Sequence, residues 1–242
     1  MSVKALGRHL KGNNMLLKRW EDLPGQMRND AVKPYYKYLE KRKGSLIIKR
    51  IFDVGMSCVL LIVLSPILGL VAILIKRDSK GNVFFKQKRI TQYGRPFMIF
   101  KFRTMVENAE ALGSQVTIQN DSRVTKVGQV LRKYRLDELP QLINILKGEM
   151  SFVGTRPEVE KYVNAYTDEM MATLLLPAGV TSEASINFKD EDQLLSDSAN
   201  IDTDYISEIL PIKMTYNLAN IKDYSLFKDM VVMVKTGFKV LR

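Results

Sequence analysis

The sequence predicts a mainly helical α/β protein in which a broken, re-entrant membrane helix is followed by a small cytoplasmic domain with a β-hairpin and amphipathic helices. Three observations predict this fold class. They are an uncharged apolar run over Val54–Ile75, a pair of adjoining β-like runs, and apolar stripes at helical spacing further along the chain. At 242 residues, the chain is long enough for one substantial core and an extension.

The apolar run lies between two basic flanks. As a straight helix it would reach about 33 Å, against about 30 Å for the hydrocarbon core of a bilayer. Lysine and arginine at 49–50 and at 76–77 mark both flanks as cytoplasmic. Pro66 removes a helical hydrogen bond and Ser65 can satisfy the freed carbonyl, which favours a bend. We therefore predict a re-entrant helix broken at Ser65 and Pro66. A kinked spanning helix is the alternative, and a buried core helix is a more distant one.

The segment before this run is strongly basic. The first 50 residues carry +9 of the net charge of +11, which predicts contact with a polyanionic surface, either nucleic acid or anionic lipid. Two interpretations of this segment stay open: an interfacial helix with tyrosines at headgroup depth, or a tail or strap over the globular domain. The aromatic and apolar residues concerned are Leu16, Leu17, Trp20, Tyr35, Tyr36 and Tyr38. At its end, Asp53 is expected to pair with Lys49 or Arg50, or to serve as a helix-start carboxylate.

Cysteine and histidine usage restricts the chemistry. Cys58 is the only cysteine and His9 the only histidine, so a disulfide framework and a multi-thiolate metal site are excluded. His9 lies in the basic extension, which removes Ser-His, Cys-His and His-zinc chemistry from the core. Catalysis would therefore use carboxylates, lysine, arginine or a hard metal ion.

Two β-like runs follow the apolar segment. Val83–Ile90 and Pro96–Arg103 are separated by a turn-like stretch at 91–95, which predicts a hairpin. Four phenylalanines of these runs are expected in the core: Phe84, Phe97, Phe100 and Phe102. Glu107–Leu112, ending at Gly113, is helix-like, and the apolar spacing at 124–131 predicts a short amphipathic helix.

The stretch Leu136–Gly148 contains a helix start and a helix stop. Asp137 or Glu138 can cap the helix, Pro140 is tolerated in its first turn, and Gly148 suits its end. The helix dipole and neighbouring cations should keep at least one of the two carboxylates ionised. An ionised carboxylate can attack phosphorus, and its neighbour can hold Mg²⁺. Taken alone, however, the pair is more typical of a simple helix cap.

A second anion-binding position is predicted at Ser151–Pro157. Pro157 suits the first position of a helix, so Arg156 and free backbone donors would lie at a helix start. The alternative for Arg156 is a surface ion pair with Glu158 or Glu160. Near the C-terminus, apolar residues at helical spacing over 226–241 predict an amphipathic helix. Core packing is its expected role, although its basic edge also suits a membrane surface.

Four blocks of sequence resemble, in the same order, the monotopic phosphoglycosyl transferases, which are also called bacterial sugar transferases. The blocks are Lys49–Asp53 with the Ser65-Pro66 break, Lys101–Met105, Leu136–Gln141 and Ser151–Pro157, joined by Asp121–Thr125. The resemblance covers residues 47–200. It divides the chain into a basic N-terminal extension (1–46), a re-entrant membrane helix (47–76), a catalytic domain (77–200) and a C-terminal helical region (201–242).

The resemblance implies transfer of a phosphosugar from a UDP-sugar to polyprenyl phosphate, with release of UMP, at the cytoplasmic face of the bacterial inner membrane. It implies that Asp137 attacks the sugar-linked phosphate and carries an aspartyl-phosphosugar intermediate. Glu138 would bind Mg²⁺ together with Asp137, or assist proton removal. The cations that match those around the substrate phosphates are Lys101, Arg103, Arg132 and Arg156. Thr155 stands where the family often has proline, so this loop should be less rigid.

Other functions remain as alternatives. The lipid phosphate could attack the UDP-sugar directly while Asp137 serves only as a metal ligand. The chain could also be a membrane-tethered nucleic-acid-binding protein, or a catalytically silent scaffold. The enzyme interpretation is preferred; it expects UDP-sugar, polyprenyl phosphate and membrane lipid as partners, no nucleic acid, and optionally a homo-oligomer. Asp190–Asp192 is expected either to orient the sugar or to be simply solvated.

Overall fold

The computed structural model describes residues 17–107, 109, 121–188 and 200–241. The chain is mostly helical, with two small sheets. The α-helices are α1 Lys33–Glu40, α2 Lys43–Val63, α3 Ser65–Asp78, α4 Lys126–Lys133, α5 Gln141–Lys147, α6 Glu160–Val163, α7 Glu183–Asn187, α8 Ile201–Asp204, α9 Leu210–Lys222 and α10 Leu226–Leu241. The strands are β1 Phe84–Thr91, β2 Arg95–Phe102, β3 Met150–Val153 and β4 Ala178–Thr181. Most of the helix-like stretch at 107–113, the acidic run at 190–192, His9 and Leu16 lie outside the described residues.

The predicted hairpin is confirmed. Strands β1 and β2 pair antiparallel, within one residue of the expected bounds. The expected phenylalanine core is only half right, because Phe97 and Phe102 are buried whereas Phe84 is exposed and Phe100 is partly exposed. Phe100 lies on the opposite face of β2 from Phe97, where the ammonium groups of Lys86 and Lys147 lie 5.1 and 4.7 Å from its ring centre.

The second sheet pairs β3 with β4 in parallel and was not predicted. Gly154, the residue after β3, touches the backbone of Gly179 in β4: a Cβ atom on Gly179 would lie 2.1 Å from the backbone nitrogen of Gly154. Only glycine permits this close approach. The sheet therefore fixes the chain immediately before Arg156.

Helices α2 and α3 form a bent pair. The chain bends by 62° between Val63 and Ser65, and the Ser65 hydroxyl donates a 2.8 Å hydrogen bond to the Ile62 carbonyl. Among the described residues, no single helix is long and apolar enough to cross a membrane, whereas the bent pair together has the required length and composition. Large apolar side chains along the pair are exposed: Ile47, Ile48, Ile51, Val59, Ile62, Val63, Ile67, Leu70, Ile73 and Leu74.

The largest apolar core joins the two ends of the described chain. Met27 and Leu39, from the basic extension, share it with Leu210 and Met214 of α9. Tyr35 and Tyr36 are buried in this core, so the interpretation that places them at headgroup depth is wrong. Residues 17–40 instead form a strap over the globular part. They can do so because apolar side chains recur along the segment, although charged residues dominate its overall composition.

Helix α10 is confirmed as an amphipathic helix, but its expected role in core packing is wrong for most of its apolar residues. Asp229 and Val232 are buried, while Phe227 and Phe238 are 73% and 67% exposed. The exposed apolar set on this helix is Phe227, Met230, Val231, Val234 and Phe238. The helix thus turns a small mixed face inward and a wide apolar face outward.

Candidate active site

The acidic pair lies in a tight turn between two helices. Leu136–Glu138 forms a 3₁₀ turn, entered through Arg135 in the left-handed conformation (φ 53°). The prediction that Asp137 or Glu138 caps the next helix is wrong. Helix α5 begins at Gln141, and its N-cap residue is Pro140, whose side chain makes no capping hydrogen bond. Both carboxylates are instead buried.

Glu138 is held between two cations. Its Oε1 atom accepts hydrogen bonds from Lys101 Nζ at 2.9 Å and from Arg156 Nη2 at 2.7 Å. Burial alone would raise the pKa of Glu138, but the charges and hydrogen bonds of Arg156 and Lys101 hold it well below its usual range. Glu138 is therefore the carboxylate of the pair that stays ionised most readily.

Asp137 has the opposite environment. Its Oδ1 atom is buried and accepts no hydrogen bond within the described part of the chain. Burial raises the pKa of Asp137; Lys101, Arg132 and Arg135 oppose this shift, and the neighbouring charge of Glu138 adds to it. The turn thus places Glu138, whose ionised form is stabilised by two cations, beside Asp137, whose ionised form is destabilised by burial.

Arg132 lies close enough to Asp137 to lower its pKa. Its Nε atom donates a 2.9 Å hydrogen bond to the Thr104 hydroxyl. Thr104 in turn is in close contact with the first turn of α4, where a Cβ atom on Gly128 would lie 2.1 Å from the Thr104 carbonyl oxygen. This close packing sets the position of the helix that carries Arg132.

Arg103 is placed differently from the other predicted cations. Its guanidinium donates to the carbonyls of Lys80 at 2.6 Å and Ser79 at 2.7 Å, just beyond the C-terminus of α3. A cation at this position also interacts favourably with the negative end of the helix dipole. The structure thus uses Arg103 to join α3 to β2 and does not bring it to the acidic pair.

The helix start predicted at Pro157 is wrong. The next helix, α6, begins at Glu160, and residues 155–159 are extended or irregular. Arg156 nevertheless reaches the site by pairing with Glu138. The alternative partners of Arg156 bind other cations: Glu158 pairs with Arg89 and Lys213, and Glu160 with Lys88.

Comparison with known proteins identifies the family. A family model described as bacterial sugar transferase matches residues 44–242. The chain belongs to the bacterial sugar transferase family. It is 35% identical over 203 residues to the exopolysaccharide production protein ExoY of Rhizobium meliloti, covering 78% of this chain and 83% of that protein.

Two longer relatives carry more specific names. A UDP-N-acetylgalactosamine-undecaprenyl-phosphate N-acetylgalactosaminephosphotransferase of Aeromonas hydrophila is 34% identical over 89% of this chain and 49% of its own length. A UDP-glucose:undecaprenyl-phosphate glucose-1-phosphate transferase of Klebsiella pneumoniae is 36% identical over 81% of this chain and 40% of its own length. The chain thus spans about half or less of these two relatives.

In this bacterial sugar transferase, three of the four predicted cations converge on the acidic turn: Lys101, Arg132 and Arg156. Two further side chains hold α5, the helix that follows the turn, in roles that the sequence did not predict. The Asn144 side chain accepts from Phe100 N at 2.9 Å and donates to Met98 O at 2.8 Å, which fixes α5 against β2. Arg50 donates to the carbonyls of Ile145 and Leu146 at the end of α5.

The expected pair of Lys49 and Asp53 is present but has a third member. Lys49 Nζ lies 3.8 Å from Asp53 and 2.7 Å from Asp229 of α10. The sequence signal that could have pointed to Asp229 is its position as an acidic residue within the apolar pattern of α10. A single sequence gives no indication that residues 49 and 229 meet, because nothing local links them.

Proposed function

We propose that this bacterial sugar transferase moves a phosphosugar from a UDP-sugar onto polyprenyl phosphate, releases UMP and so begins the assembly of a membrane glycan. The relatives' names supply the substrate classes. The observation that carries the proposal is the buried turn itself, in which one Asp137 oxygen accepts no hydrogen bond from the described residues while Glu138 binds two cations. This arrangement provides a nucleophile beside positive charge, as phosphoryl transfer requires.

In the first step, an ionised oxygen of Asp137 attacks the sugar-linked phosphorus. A new bond forms between phosphorus and the Asp137 oxygen, the bond from that phosphorus to the bridging oxygen breaks, and UMP leaves with the electron pair. In the second step, an oxygen of the polyprenyl phosphate attacks the same phosphorus and frees the Asp137 carboxylate. A carboxylate whose pKa is raised by burial is the better nucleophile once ionised, because less of its charge is stabilised in the ground state.

The neighbouring cations complement the charge of the diphosphate. Lys101 and Arg156 already lie beside the turn, held there by Glu138, and Arg132 is fixed by Thr104. Arginine can contact two phosphate oxygens at once, which orients the reacting phosphorus as well as binding it. Positioning and charge stabilisation account for most of the catalysis in phosphoryl transfer.

The acidic pair also suits Mg²⁺. No group of three or more potential ligands of the Asp, Glu, His or Cys type occurs in the described ranges, so a closed protein cage is absent there. Mg²⁺ is commonly held by one or two carboxylates together with substrate phosphates and water. Asp137 Oδ1, which has no hydrogen-bond partner among the residues described, and the adjacent Glu138 carboxylate fit that role. When bound, the ion would neutralise part of the diphosphate charge.

We place the enzyme at the cytoplasmic face of the bacterial inner membrane, with α2 and α3 as a re-entrant pair. The basic flanks, the 62° bend and the exposed apolar side chains along both helices support this placement. The exposed face of α10, next to Lys228, Lys235 and Lys239, is also suited to an interface with anionic lipid.

The test is UMP release by the full chain, reconstituted with polyprenyl phosphate and a panel of UDP-sugars with Mg²⁺. We expect release with at least one UDP-sugar, dependent on the lipid for repeated turnover and abolished in Asp137→Asn. The matched control is Asp223→Asn, which alters an exposed aspartate and should stay within about twofold of wild type. No release with any UDP-sugar would overturn the proposal.

A further inference from the structure

A buried ionic network lies behind the loop that carries Arg156. At its centre is Glu158, whose Oε1 accepts a 2.6 Å hydrogen bond from the Tyr205 hydroxyl. Lys213 Nζ donates to the same hydroxyl at 2.8 Å and lies 3.6 Å from Glu158. Arg89 Nη1 lies 3.9 Å from Glu158 on the other side. The side chains of Glu158 and Lys213 are only 7% and 6% exposed.

Arg89 of this network and its neighbour on β1 also hydrogen-bond to the backbone after Arg156. Arg89 Nη1 donates to the Pro157 carbonyl at 3.3 Å, and the Ile90 amide donates to the Glu158 carbonyl at 2.9 Å. On the other side, the Gly179 amide donates to the Thr155 carbonyl at 2.8 Å. The backbone around Arg156 is thus tied to β4 before the residue and to β1 after it.

Stability alone is a weak reason for burying these charges. An ion pair in a protein interior loses about as much in desolvation as it gains, and well-packed apolar side chains often serve stability as well or better. Geometry is the more specific benefit, since a satisfied buried network has one arrangement. Here the network restrains the loop from Thr155 to Glu158. This loop carries Arg156, whose guanidinium lies 2.7 Å from the Glu138 carboxylate.

We propose that Tyr205 and Lys213 are positioning residues, which act through Glu158 and Arg89 to hold the 155–158 loop so that the Arg156 guanidinium meets Glu138 and the substrate phosphate. Tyr205 and Lys213 come from the chain after residue 200, so the C-terminal helical region serves the site without touching substrate. Thr155 lacks the ring that would fix the backbone of a proline, so the loop depends more on hydrogen bonds and ion pairs with other segments. The proposal rests on the proposed function and assigns part of its geometry to new residues.

The first test is a double-mutant cycle on UMP release. Lys213→Met and Tyr205→Phe should each lower kcat by about tenfold, because an ångström-scale misplacement of a binding group can cost up to about a hundredfold. In an Arg156→Met background the same changes should have less than about a twofold effect, since the group they position is gone. Lys213→Arg should recover part of the loss, because it keeps the charge and a donor.

The matched control is Lys88→Met. Lys88 is the neighbour of Arg89 on β1 and pairs with Glu160 at an exposed position, so its loss should change kcat by less than about twofold. Tyr205→Phe removes a single hydroxyl and serves if Lys213→Met fails to fold. Equal losses in the wild-type and Arg156→Met backgrounds would overturn the proposal, because they would indicate a role that does not pass through Arg156.

The second test does not depend on activity. Hydrogen exchange at the Ile90 and Gly179 amides, both of which donate into the loop, should speed up in Lys213→Met and stay unchanged in Lys88→Met. Wild-type protein that releases no UMP would defeat the proposed function, whereas faster exchange at these two amides would still support the positioning network. Unchanged exchange in Lys213→Met would overturn it whatever the activity.

Discussion

Two buried clusters in this protein each contain a pair of carboxylates, but the cations are distributed differently around the two pairs. In one cluster, Lys49 lies between Asp53 and Asp229, so a single cation serves both acids and joins α2 to α10. In the other, Lys101 and Arg156 both bind Glu138, and Asp137 is left with an oxygen that accepts no hydrogen bond from the described residues. The first arrangement is typical of a structural joint. The second leaves a carboxylate available for chemistry, at a cost in folding.

The largest expected effect is the loss of activity in Asp137→Asn. An amide is a poor nucleophile and cannot form the intermediate, so turnover should fall by at least about a thousandfold while the protein stays folded. UMP release and thermal unfolding measured on the same preparation check this. Substantial activity in the variant would remove the distinction between the two clusters.

Removing the cation of the structural cluster should have the opposite effect: a large loss of stability and little loss of turnover. Lys49→Met leaves Asp53 and Asp229 without their shared cation, and stranding buried charge costs about 3–5 kcal/mol of unfolding free energy. Turnover per folded molecule should change by only a few-fold. Unfolding in detergent micelles gives the first quantity and active-site-normalised UMP release the second.

A suitable comparison for that variant is Lys228→Met. Lys228 pairs with Asp223 at an exposed position, where an ion pair contributes at most about 1 kcal/mol. A Lys49→Met protein as stable as Lys228→Met would mean that the buried cluster is not a joint.

Asp137→Asn should also stabilise the protein near neutral pH, by about 0.5–2 kcal/mol, the range common for single stabilising substitutions. The sign follows from the raised pKa of Asp137, which burial causes. Above its folded-state pKa the carboxylate is ionised and destabilises the fold. The penalty disappears as pH falls below the ordinary aspartate value of about 3.9, where it is protonated in both states. Chemical unfolding of both proteins at pH 7 and below pH 4 measures this; a variant less stable at pH 7 would contradict it.

The smallest effect concerns Arg132. Its charge opposes the upward shift in the pKa of Asp137, so Arg132→Met should raise that pKa further. Because Asp137 is proposed to act when ionised, the acid limb of the kcat profile should move to higher pH, in addition to any loss of phosphate binding. A limb that moves to lower pH would contradict the assignment.

Local pattern was sufficient for much of the fold and failed where distant segments meet. Two β-like runs on either side of a turn-like stretch indicated the hairpin, the proline at 66 indicated the bend, and helical spacing indicated α10. The parallel pair β3 and β4 is too short to leave a periodic signal, and its need for Gly154 and Gly179 arises only where two backbones touch. The burial of Tyr35 and Tyr36 likewise depends on α9, far along the chain.

The same division applies to the site. Asp137, Glu138, Lys101, Arg132 and Arg156 could be proposed because their motifs resemble a family. Arg103 belongs to a matching motif too, yet its guanidinium caps α3, since the end of that helix lies beside β2. Residues such as Asn144, Tyr205 and Lys213 act through partners distant in sequence, so neither spacing nor motif could have pointed to them.

Intact-protein mass spectrometry is the most direct test of whether Asp137 forms a covalent phosphosugar intermediate, as we propose. The full chain would be incubated with its UDP-sugar and Mg²⁺ but without polyprenyl phosphate. We expect a gain of one phosphosugar mass in the wild-type protein, absent in Asp137→Asn and lost when polyprenyl phosphate is added. No mass gain in protein that turns over once the lipid is supplied would contradict it and indicate direct attack by the lipid phosphate.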